Sequence, residues 1–420
     1  MRRIFLVPLL CLTAAIGLLG QTTVVGVSTQ AYNVLAAGAK GDGSCDNLAI
    51  NAAIARAGEG GTLYFPAGMT FTLCGSLKPL QVQTLSGYGA KLKRCNAVST
   101  TTSTSISPGT TTITVADASG FEVGMDINVF SGDTFDSTNN RTISAISGNN
   151  ITTSTAWNET LVSGGTVFSS LHQIETSASG VRIFGLEFDG NRANNTVLAK
   201  WQIHTEIHAT SDHLRIHDVY IHDAQSEGAE ILGADPEVSD STVIDAGGNC
   251  IHLGSTTGAR IVHNYLQNCN ILGTATGHAD GAVTISDAVG DTVVSGNYMD
   301  TAIAGVGSLD SADNSSVIIT GNVIKNMTGN AVEAVVPDGE SLAEVIVSNN
   351  LIYDSVSITV THVGSTGTVD NVLITGNYLS NTYIEVGGGS RFTINANVIE
   401  DASDTTHNAI SADLADEVLI

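Results

Sequence analysis

The sequence predicts an all-β fold, a right-handed, single-stranded parallel β-helix with an N-terminal capping helix and a small inserted β module. The main evidence is a short phrase, seen as IVHNYL, IITGNVI and LITGNYL, that recurs in the second half of the chain. Its copies are spaced by 20 to 33 residues, as expected for one repeat per turn of a solenoid. The asparagines at the shared position are Asn264, Asn297, Asn322, Asn350, Asn377 and Asn397.

The residues between these asparagines favour strands. Short runs of β-branched and aliphatic residues alternate with Gly, Asn and Asp and show no helical period. Asparagine tolerates the left-handed backbone conformation of tight turns, and stacked amides can hydrogen-bond from one coil to the next. We therefore expect an asparagine ladder along one corner, with each asparagine in the left-handed conformation. Parallel crossover connections are almost always right-handed, which sets the hand.

The block from Ala31 to Gly68, AYNVLAAGAKGDGSCDNLAINAAIARAGEGGTLYFPAG, predicts a strand, a Gly-rich turn, a helix and a second strand. Asp46 is a suitable N-cap, and Gly58 is a suitable stop. Ile50, Ala53, Ile54 and Ala57 share one face of this helix, which suits a cap that lies across the open first coil and shields its edge. We assign residues 31–97 to this cap and the first coils.

At these residues the chain resembles the pectate-lyase-like superfamily, whose members open with a strand, GAKGDG, a helix and GGTVYFPAG. The superfamily includes polygalacturonase-type hydrolases, rhamnogalacturonases, alginate epimerases and phage tailspikes. The resemblance implies a right-handed parallel β-helix but not one reaction, because the opening block is a structural cap. The hydrolases carry an Asp pair before Cys-Ile and a later Arg-Ile-Lys. The comparable GNCIHLGS at Gly248 lacks the Asp pair, and no Arg-Ile-Lys follows it.

Residues 98–168 are rich in Thr and Ser and predict the inserted β module, because apolar positions alternate there between turn signals. Trp157 or Phe135 could serve as a stacking platform for a sugar, and the alternative is a folded excursion with no ligand role.

Residues 169–420 are assigned to further coils. We expect the C-terminal end to be truncated, since the chain stops where the repeat requires another turn.

Residues 1–20 predict a signal peptide, because Arg2 and Arg3 precede an apolar run that is short for a membrane span. We expect a secreted or periplasmic protein without membrane insertion. The formal charge of −25 excludes nucleic acid as a partner, but charge alone does not name the substrate. The family resemblance implies a polysaccharide as the partner. No cofactor is required, although Ca²⁺ is a candidate guest that could bridge an anionic glycan. The sequence leaves the oligomeric state open.

Five cysteines lie beyond the signal peptide, so an oxidising compartment allows at most two disulfides. We expect Cys74 to pair with Cys95 and Cys250 with Cys269, because about one coil separates each pair.

Histidines are concentrated in one quarter of the chain, with nine of the eleven between His172 and His278. In WQIHTEIHA, strand alternation would place His204, Glu206 and His208 on one outward strip. Glu230 and His252 each lie 11 residues after the template position of their repeat. They should therefore stack on adjacent rungs about 4.8 Å apart, with Glu206 one rung earlier.

Glycoside cleavage requires a carboxylic acid and a second carboxylate at about 5 Å or roughly 6.5–9.5 Å, and rungs of a β-helix supply such spacings. Asp280 in ADGAVTI is similar to the Asp in the NTDGIDI phrase of polygalacturonase-type hydrolases. The candidate catalytic residues are Glu206, Glu230, His252 and Asp280. The candidate substrate-binding residues are Trp157, Lys200, His204, His208 and His278.

The leading hypothesis is an exported enzyme that hydrolyses a pectin-like or other uronic-acid-containing polysaccharide. A polysaccharide lyase or epimerase is one alternative, and a non-enzymatic surface or adhesion β-helix is another. For His204, Glu206 and His208 a metal site is a further interpretation, because imidazole and carboxylate are competent ligands. A solvated face without function is the remaining interpretation of this strip.

Overall fold

The structure is a computed structural model that describes residues 31–131, 134–135, 140–169, 172–195, 205–272, 281–286, 290–307, 316–336, 341–362, 368–400, 409–413 and 416–420. Among these residues no helix has the length and apolar character needed to cross a membrane. The N-terminal elements are β1 (Tyr32–Asn33), a 3-10 helix (Val34–Ala37), β2 (Asp42–Cys45), α1 (Asn47–Ala57), β3 (Thr62–Tyr64), β4 (Thr70–Leu73) and β5 (Thr84–Arg94).

Helix α1 confirms the predicted cap. It begins after Asp46, ends just before Gly58, and buries Ile50, Ala53 and Ile54 in the core. The Asp46 carboxylate does not cap the helix; it accepts the backbone N–H groups of Lys40 and Gly41 at 2.7 and 3.0 Å. Asp46 therefore fixes the Gly-rich turn against the start of the helix.

The inserted module is an antiparallel sheet in the strand order β6, β12, β8, β10, β11, β7, with β9 paired to β8. Its strands are β6 (Ser99–Thr101), β7 (Thr112–Thr114), β8 (Asp126–Ser131), β9 (Thr134–Phe135), β10 (Arg141–Ser147), β11 (Asn150–Thr153) and β12 (Thr166–Ser169). The module has a hydrophobic core of its own, separate from that of the coils.

The prediction of Trp157 as a stacking platform is wrong. Trp157 is 0% exposed and lies in the core of the module, with the Arg141 guanidinium 4.8 Å from its ring centroid. A fully buried indole presents no face to a sugar, and the cost of leaving so large an apolar surface in water explains its position. The side chain of Phe135 lies outside the described residues.

The remaining strands form three parallel ladders, which are the three faces of the β-helix. One, the ten-stranded face, runs from β13 through β15, β18, β21 and β24 to β40. The elements are β13 (Ile174–Thr176), β14 (Arg182–Asp189), a 3-10 helix (Arg192–Asn194), β15 (Ile207–Ala209), β16 (Arg215–His217), β17 (Tyr220–His222), β18 (Ala229–Ile231), β19 (Glu237–Ser239), β20 (Thr242–Ile244), β21 (Ile251–Gly254), β22 (Arg260–Val262), β23 (Tyr265–Gln267), β24 (Val283–Ser286), β25 (Thr292–Ser295), β26 (Tyr298–Ala302), β27 (Val306–Gly307), β28 (Ser316–Thr320), β29 (Val323–Met327), β30 (Val332–Val336), β31 (Ser341–Leu342), β32 (Glu344–Ser348), β33 (Leu351–Tyr353), β34 (Ser357–His362), β35 (Thr368–Thr375), β36 (Tyr378–Ser380), β37 (Tyr383–Gly387), β38 (Ser390–Asn395), β39 (Val398–Glu400), β40 (Ile410–Asp413) and β41 (Asp416–Leu419).

The asparagine ladder is confirmed, but its backbone conformation is not the predicted one. From Asn264 to Asn377, each asparagine donates its backbone N–H and its Nδ2 to the Oδ1 of the next one, at 2.9–3.0 Å. These asparagines, all within the described residues, do not have positive φ. The left-handed residue is the one before each, as at Gly296, Gly321 and Gly376. The asparagine side chain can then point inward from the turn.

One of the two expected disulfides is confirmed. Cys250 is bonded to Cys269, with Cα atoms 5.4 Å apart, but Cys74 is bonded to Cys45 and not to Cys95. The pairing of β2 with β4 explains the difference, because it sets Cys45 opposite Thr72 and within a 5.8 Å Cα distance of Cys74. Cys95 takes part in neither bridge.

Replacing Cys250 and Cys269 together by alanine should lower the free energy of unfolding by about 3 kcal/mol, because the bridge closes a loop of about twenty residues in the unfolded chain. Urea denaturation followed by circular dichroism measures this. Cys95→Ala is the control and should cost less than about 1 kcal/mol. A double variant as stable as the original protein would contradict the prediction.

Candidate functional site

The ten-stranded face carries a row of chemically active side chains on consecutive rungs. Glu175 pairs with His208, His208 with Glu230, Glu230 with His252, and His252 with Thr284. Their neighbours along each strand, such as Ile207 and Ile251, lie in the hydrophobic core. Since side chains alternate along a strand, these five residues point outward. We call them the outward column.

The predicted adjacency of Glu230 and His252 is therefore confirmed, whereas the predicted position of Glu206 is wrong. His208, not Glu206, occupies the rung before Glu230. Strand β15 begins only at Ile207, so alternation does not extend to Glu206. Glu206 is 0% exposed, and its Oε1 lies 2.7 Å from Nη2 of Arg94, which is equally buried. This position does not fit a group that meets a substrate.

Glu227 is the functional candidate that the sequence analysis missed. Its Oε1 lies 3.0 Å from Nδ1 of His252, while Nε2 of His208 lies 3.5 Å from Oε2 of Glu230. One ligand atom each of Glu227, Glu230 and His252 falls within a mutual distance of 4.8 Å. We call Glu227, Glu230, His252 and His208 the acid–histidine cluster. Two carboxylates and two imidazoles this close to one another can exchange protons with a bound ligand.

Glu227 is held in place by a buried amide network. Asn249 donates its Nδ2 to Glu227 Oε1 at 3.1 Å, and its own Oδ1 accepts Asn270 Nδ2 at 3.0 Å and the Gly281 N–H at 3.2 Å. The signal for this pair was present in the sequence. Glu227 precedes Asn249 by 22 residues, the same offset that separates Glu230 from His252.

Burial shifts the pKa values of two side chains at the start of the outward column. It lowers the pKa of His208 below its ordinary value, although the charge of Glu227 acts in the opposite direction. It also raises the pKa of Glu175, against the effect of Lys78. The ring of His172 stacks on that of His208 with centroids 4.7 Å apart. His208 is therefore neutral near pH 7 and is held in a fixed ring orientation.

A cavity of about 460 Å³ opens beside this part of the column. Lys78, Glu175, Thr176, His208 and Thr210 are among the residues that line it. It places one cation and two titratable side chains next to a space large enough for a sugar residue. A larger cavity of about 660 Å³ lies beside the Cys45–Cys74 disulfide, away from the acid–histidine cluster.

Four predicted site residues lie outside the described part of the chain. Lys200 and His204 fall within residues 196–204, and His278 and Asp280 fall within residues 273–280. Their roles, and the proposed metal site that included His204, stay predictions.

A second group that could hold a metal, Asp189 with His222 and Asp223, lies on another face of the coils. Lys93 is 3.3 Å from Asp189, and Arg192 is 3.8 Å from Asp223, so cations of the chain already balance these acids. We therefore interpret it as a surface charge network.

The acid–histidine cluster includes imidazole nitrogen, whereas Ca²⁺ takes six to eight oxygen ligands. It is thus not a calcium donor set, and calcium binding elsewhere stays a prediction.

Comparison with known proteins bears on the coils that carry the outward column. Residues 205–365 match the family model for a right handed beta helix region. The fold is a right-handed parallel β-helix. This confirms the predicted fold class and the resemblance to pectate-lyase-like proteins at the level of fold. A search of curated proteins finds no sequence that matches the chain.

Solved structures resemble this one at low sequence identity. A hyperthermoactive exopolygalacturonase from Thermotoga maritima is 12% identical, with a TM-score of 0.53 over 93% of this chain and 91% of that chain. The A-module of the Azotobacter vinelandii mannuronan C-5 epimerase AlgE6 is 14% identical, with a TM-score of 0.42 over 93% and 99%. PfbA, a surface adhesin of Streptococcus pneumoniae, is 14% identical, with a TM-score of 0.40 over 93% and 92%. These likenesses concern the fold alone.

Proposed function

We propose that the protein is an exported carbohydrate-active enzyme that hydrolyses glycosidic bonds of a polysaccharide at the acid–histidine cluster. The observation that carries this proposal is the succession of His208, Glu230 and His252 on adjacent rungs of one outward face. Rungs about 4.8 Å apart place acid and imidazole groups close to one another on this face. An exopolygalacturonase shares the fold, which agrees with a polysaccharide substrate without establishing one.

The exposures of the cluster suggest a division of roles. The Glu230 side chain is 7% exposed and that of His252 is 6% exposed, whereas Glu227 is 0% exposed. Glu230 is therefore the carboxyl that gives a proton to the leaving glycosidic oxygen. His252 takes a proton from the attacking water, because its ring is oriented by Glu227. Glu227 acts as a positioning residue, since a fully buried carboxylate does not reach the sugar.

The expected substrate is a glycan that contains uronic acid. Lys78 lies at the cavity beside the column, and its side chain is 49% exposed, so its ammonium group is available to a sugar carboxylate. Its nearest acid is Glu175 at 3.9 Å, a weak contact at this exposure. A lyase or an epimerase would use the same subsite with a different proton transfer.

Glu230→Gln should reduce hydrolysis by at least about 100-fold, because the amide cannot protonate the leaving oxygen. The measurement follows both new reducing ends and ultraviolet absorbance of unsaturated product on a panel of neutral and uronic-acid polysaccharides. Glu385→Gln is the matched control, since Glu385 lies on a later rung of the same face and should leave activity unchanged.

Three results separate the alternatives. Reducing ends without unsaturation, lost in Glu230→Gln and kept in Glu385→Gln, would support hydrolysis. Unsaturated product would mean a lyase instead. If no polysaccharide yields product while the protein still binds one of them, the proposal fails and a binding or adhesion role replaces it.

A further inference from the structure

We infer a second chemistry on the same face: Ser286, His252 and Glu227 form a nucleophile–base–acid triad for hydrolysis of an ester. Oγ of Ser286 lies 2.7 Å from Nε2 of His252, and Nδ1 of the same ring lies 3.0 Å from Oε1 of Glu227. One ring nitrogen of His252 thus contacts a hydroxyl, and the other contacts a carboxylate. This arrangement activates a serine, whatever the fold. Glycosidic cleavage does not use Ser286, so this inference goes beyond the proposed function.

The strand register explains how these groups meet. Ser286 is the last residue of β24, two positions after Thr284 and on the same outward side. It pairs with Gly254 on the neighbouring strand, and glycine contributes no side chain to this face. His252 is two positions before Gly254, and its ring can therefore reach diagonally across the rung to the serine hydroxyl.

The three residues of the triad differ in burial, and this difference indicates the role of each. Ser286 is half-buried and so is accessible to a ligand, His252 is mostly buried, and Glu227 is fully buried. The Asn249 amide fixes the Glu227 oxygen that faces His252. An oriented buried carboxylate stabilises the imidazolium that forms when His252 accepts the serine proton. The accessible end of the triad is thus the nucleophile, as acyl transfer requires.

The reaction balances without any co-reactant except water. Ser286 Oγ attacks the ester carbonyl carbon while its proton passes to His252 Nε2. The bond from that carbon to the alcohol oxygen breaks, and the alcohol leaves with the proton from His252. Water, deprotonated by His252, then cleaves the acyl-serine and releases a carboxylic acid. We assign the ester to a short acyl group on a sugar hydroxyl; this choice of alcohol rests on the proposed function.

The test begins with the unaltered protein and a fluorophosphonate probe, which reacts with activated serines. We expect the peptide that contains Ser286 to gain the probe mass. We also expect acetate release from an O-acetylated polysaccharide, reduced by at least about 1,000-fold in Ser286→Ala. Ser295→Ala is the control, because Ser295 is half-buried on a different face and should keep full activity.

Two further experiments distinguish the possible outcomes. Glu227→Gln preserves the side-chain shape and should lower both probe labelling and acetate release, which tests the triad without altering the nucleophile. On the deacetylated polysaccharide, the unaltered protein should still produce reducing ends whether or not it releases acetate from the acetylated one, so failure of the ester inference is distinguishable from failure of glycosidic hydrolysis. No probe on Ser286, or acetate release that survives in Ser286→Ala, would overturn the triad and leave Ser286 as a hydrogen-bond partner of His252.

Discussion

Arg94→Met is expected to lower the free energy of unfolding by about 3–5 kcal/mol near neutral pH, because it leaves the buried Glu206 without its counter-charge. The two charged groups are 2.7 Å apart, with side chains 1% and 0% exposed. Arg94 Nη2 also donates to the Thr205 carbonyl at 3.3 Å, so the arginine joins the end of β5 to the residues just before β15. Methionine fills a similar volume and removes the charge with little loss of packing.

The loss of stability should depend on pH in a defined direction. Burial raises the pKa of Glu206 above the ordinary 4.5, and Arg94 opposes that rise. Without Arg94 the pKa rises further, and the folded state then binds more protons than the unfolded state. Stability therefore falls as pH rises from the ordinary pKa toward the folded one. The deficit of Arg94→Met should be small below about pH 4.5 and large at pH 7.5.

Urea denaturation at pH 4 and pH 7.5 measures this dependence. Arg260→Met is the matched control, since Arg260 is 60% exposed and 3.6 Å from Glu237, and it should cost less than about 1 kcal/mol at either pH. Adding Glu206→Gln to Arg94→Met should recover much of the stability at pH 7.5. A deficit that is equal at both pH values would show that the charge of Glu206 is not its cause.

Asn322→Ala should lower the free energy of unfolding by about 3–6 kcal/mol, since each buried polar group left without a partner costs roughly 1–3 kcal/mol. Asn322 is 0% exposed. Its Oδ1 accepts both N–H donors of Asn297, and its Nδ2 donates to the Val294 carbonyl and to Asn350. Alanine removes all four contacts at once.

Thermal and urea unfolding compare this variant with Asn395→Ala. Asn395 belongs to the same coils but is exposed, where it accepts the Thr375 hydroxyl, so its loss should cost less than about 1 kcal/mol. Equal costs for the two substitutions would mean that the buried ladder adds no more stability than a surface contact.

Periodic features of the fold could be predicted from the sequence because a repeated coil imposes one register on many residues. The ladder asparagines and the adjacency of Glu230 and His252 both follow from equal offsets. The pairing of Arg94 with Glu206 could not be found in this way, because 112 positions separate them and no repeat relates them. Trp157 was misjudged for a related reason: composition does not reveal which side of an irregular module faces water.

The candidate site was predicted in part. His252 was placed by its offset, and Glu227 and Asn249 share the same spacing, so extending the comparison by three residues would have found them. Ser286 gave no such signal. Its contact with His252 depends on a diagonal across the sheet and on a glycine opposite the serine, neither of which a repeat template encodes.

The first and last strands of the inserted module pair with each other, with Thr101 opposite Thr166. The chain thus leaves the solenoid and returns to it at neighbouring points. The Asn47 amide and the Ser76 N–H fix the module from outside, through Gly124 and Asp126. For evolution or protein engineering, this segment can be exchanged as a unit: another domain that enters and leaves at the same two points would keep the rungs in place, whereas a change of length within a coil would shift the register of the strands that follow it.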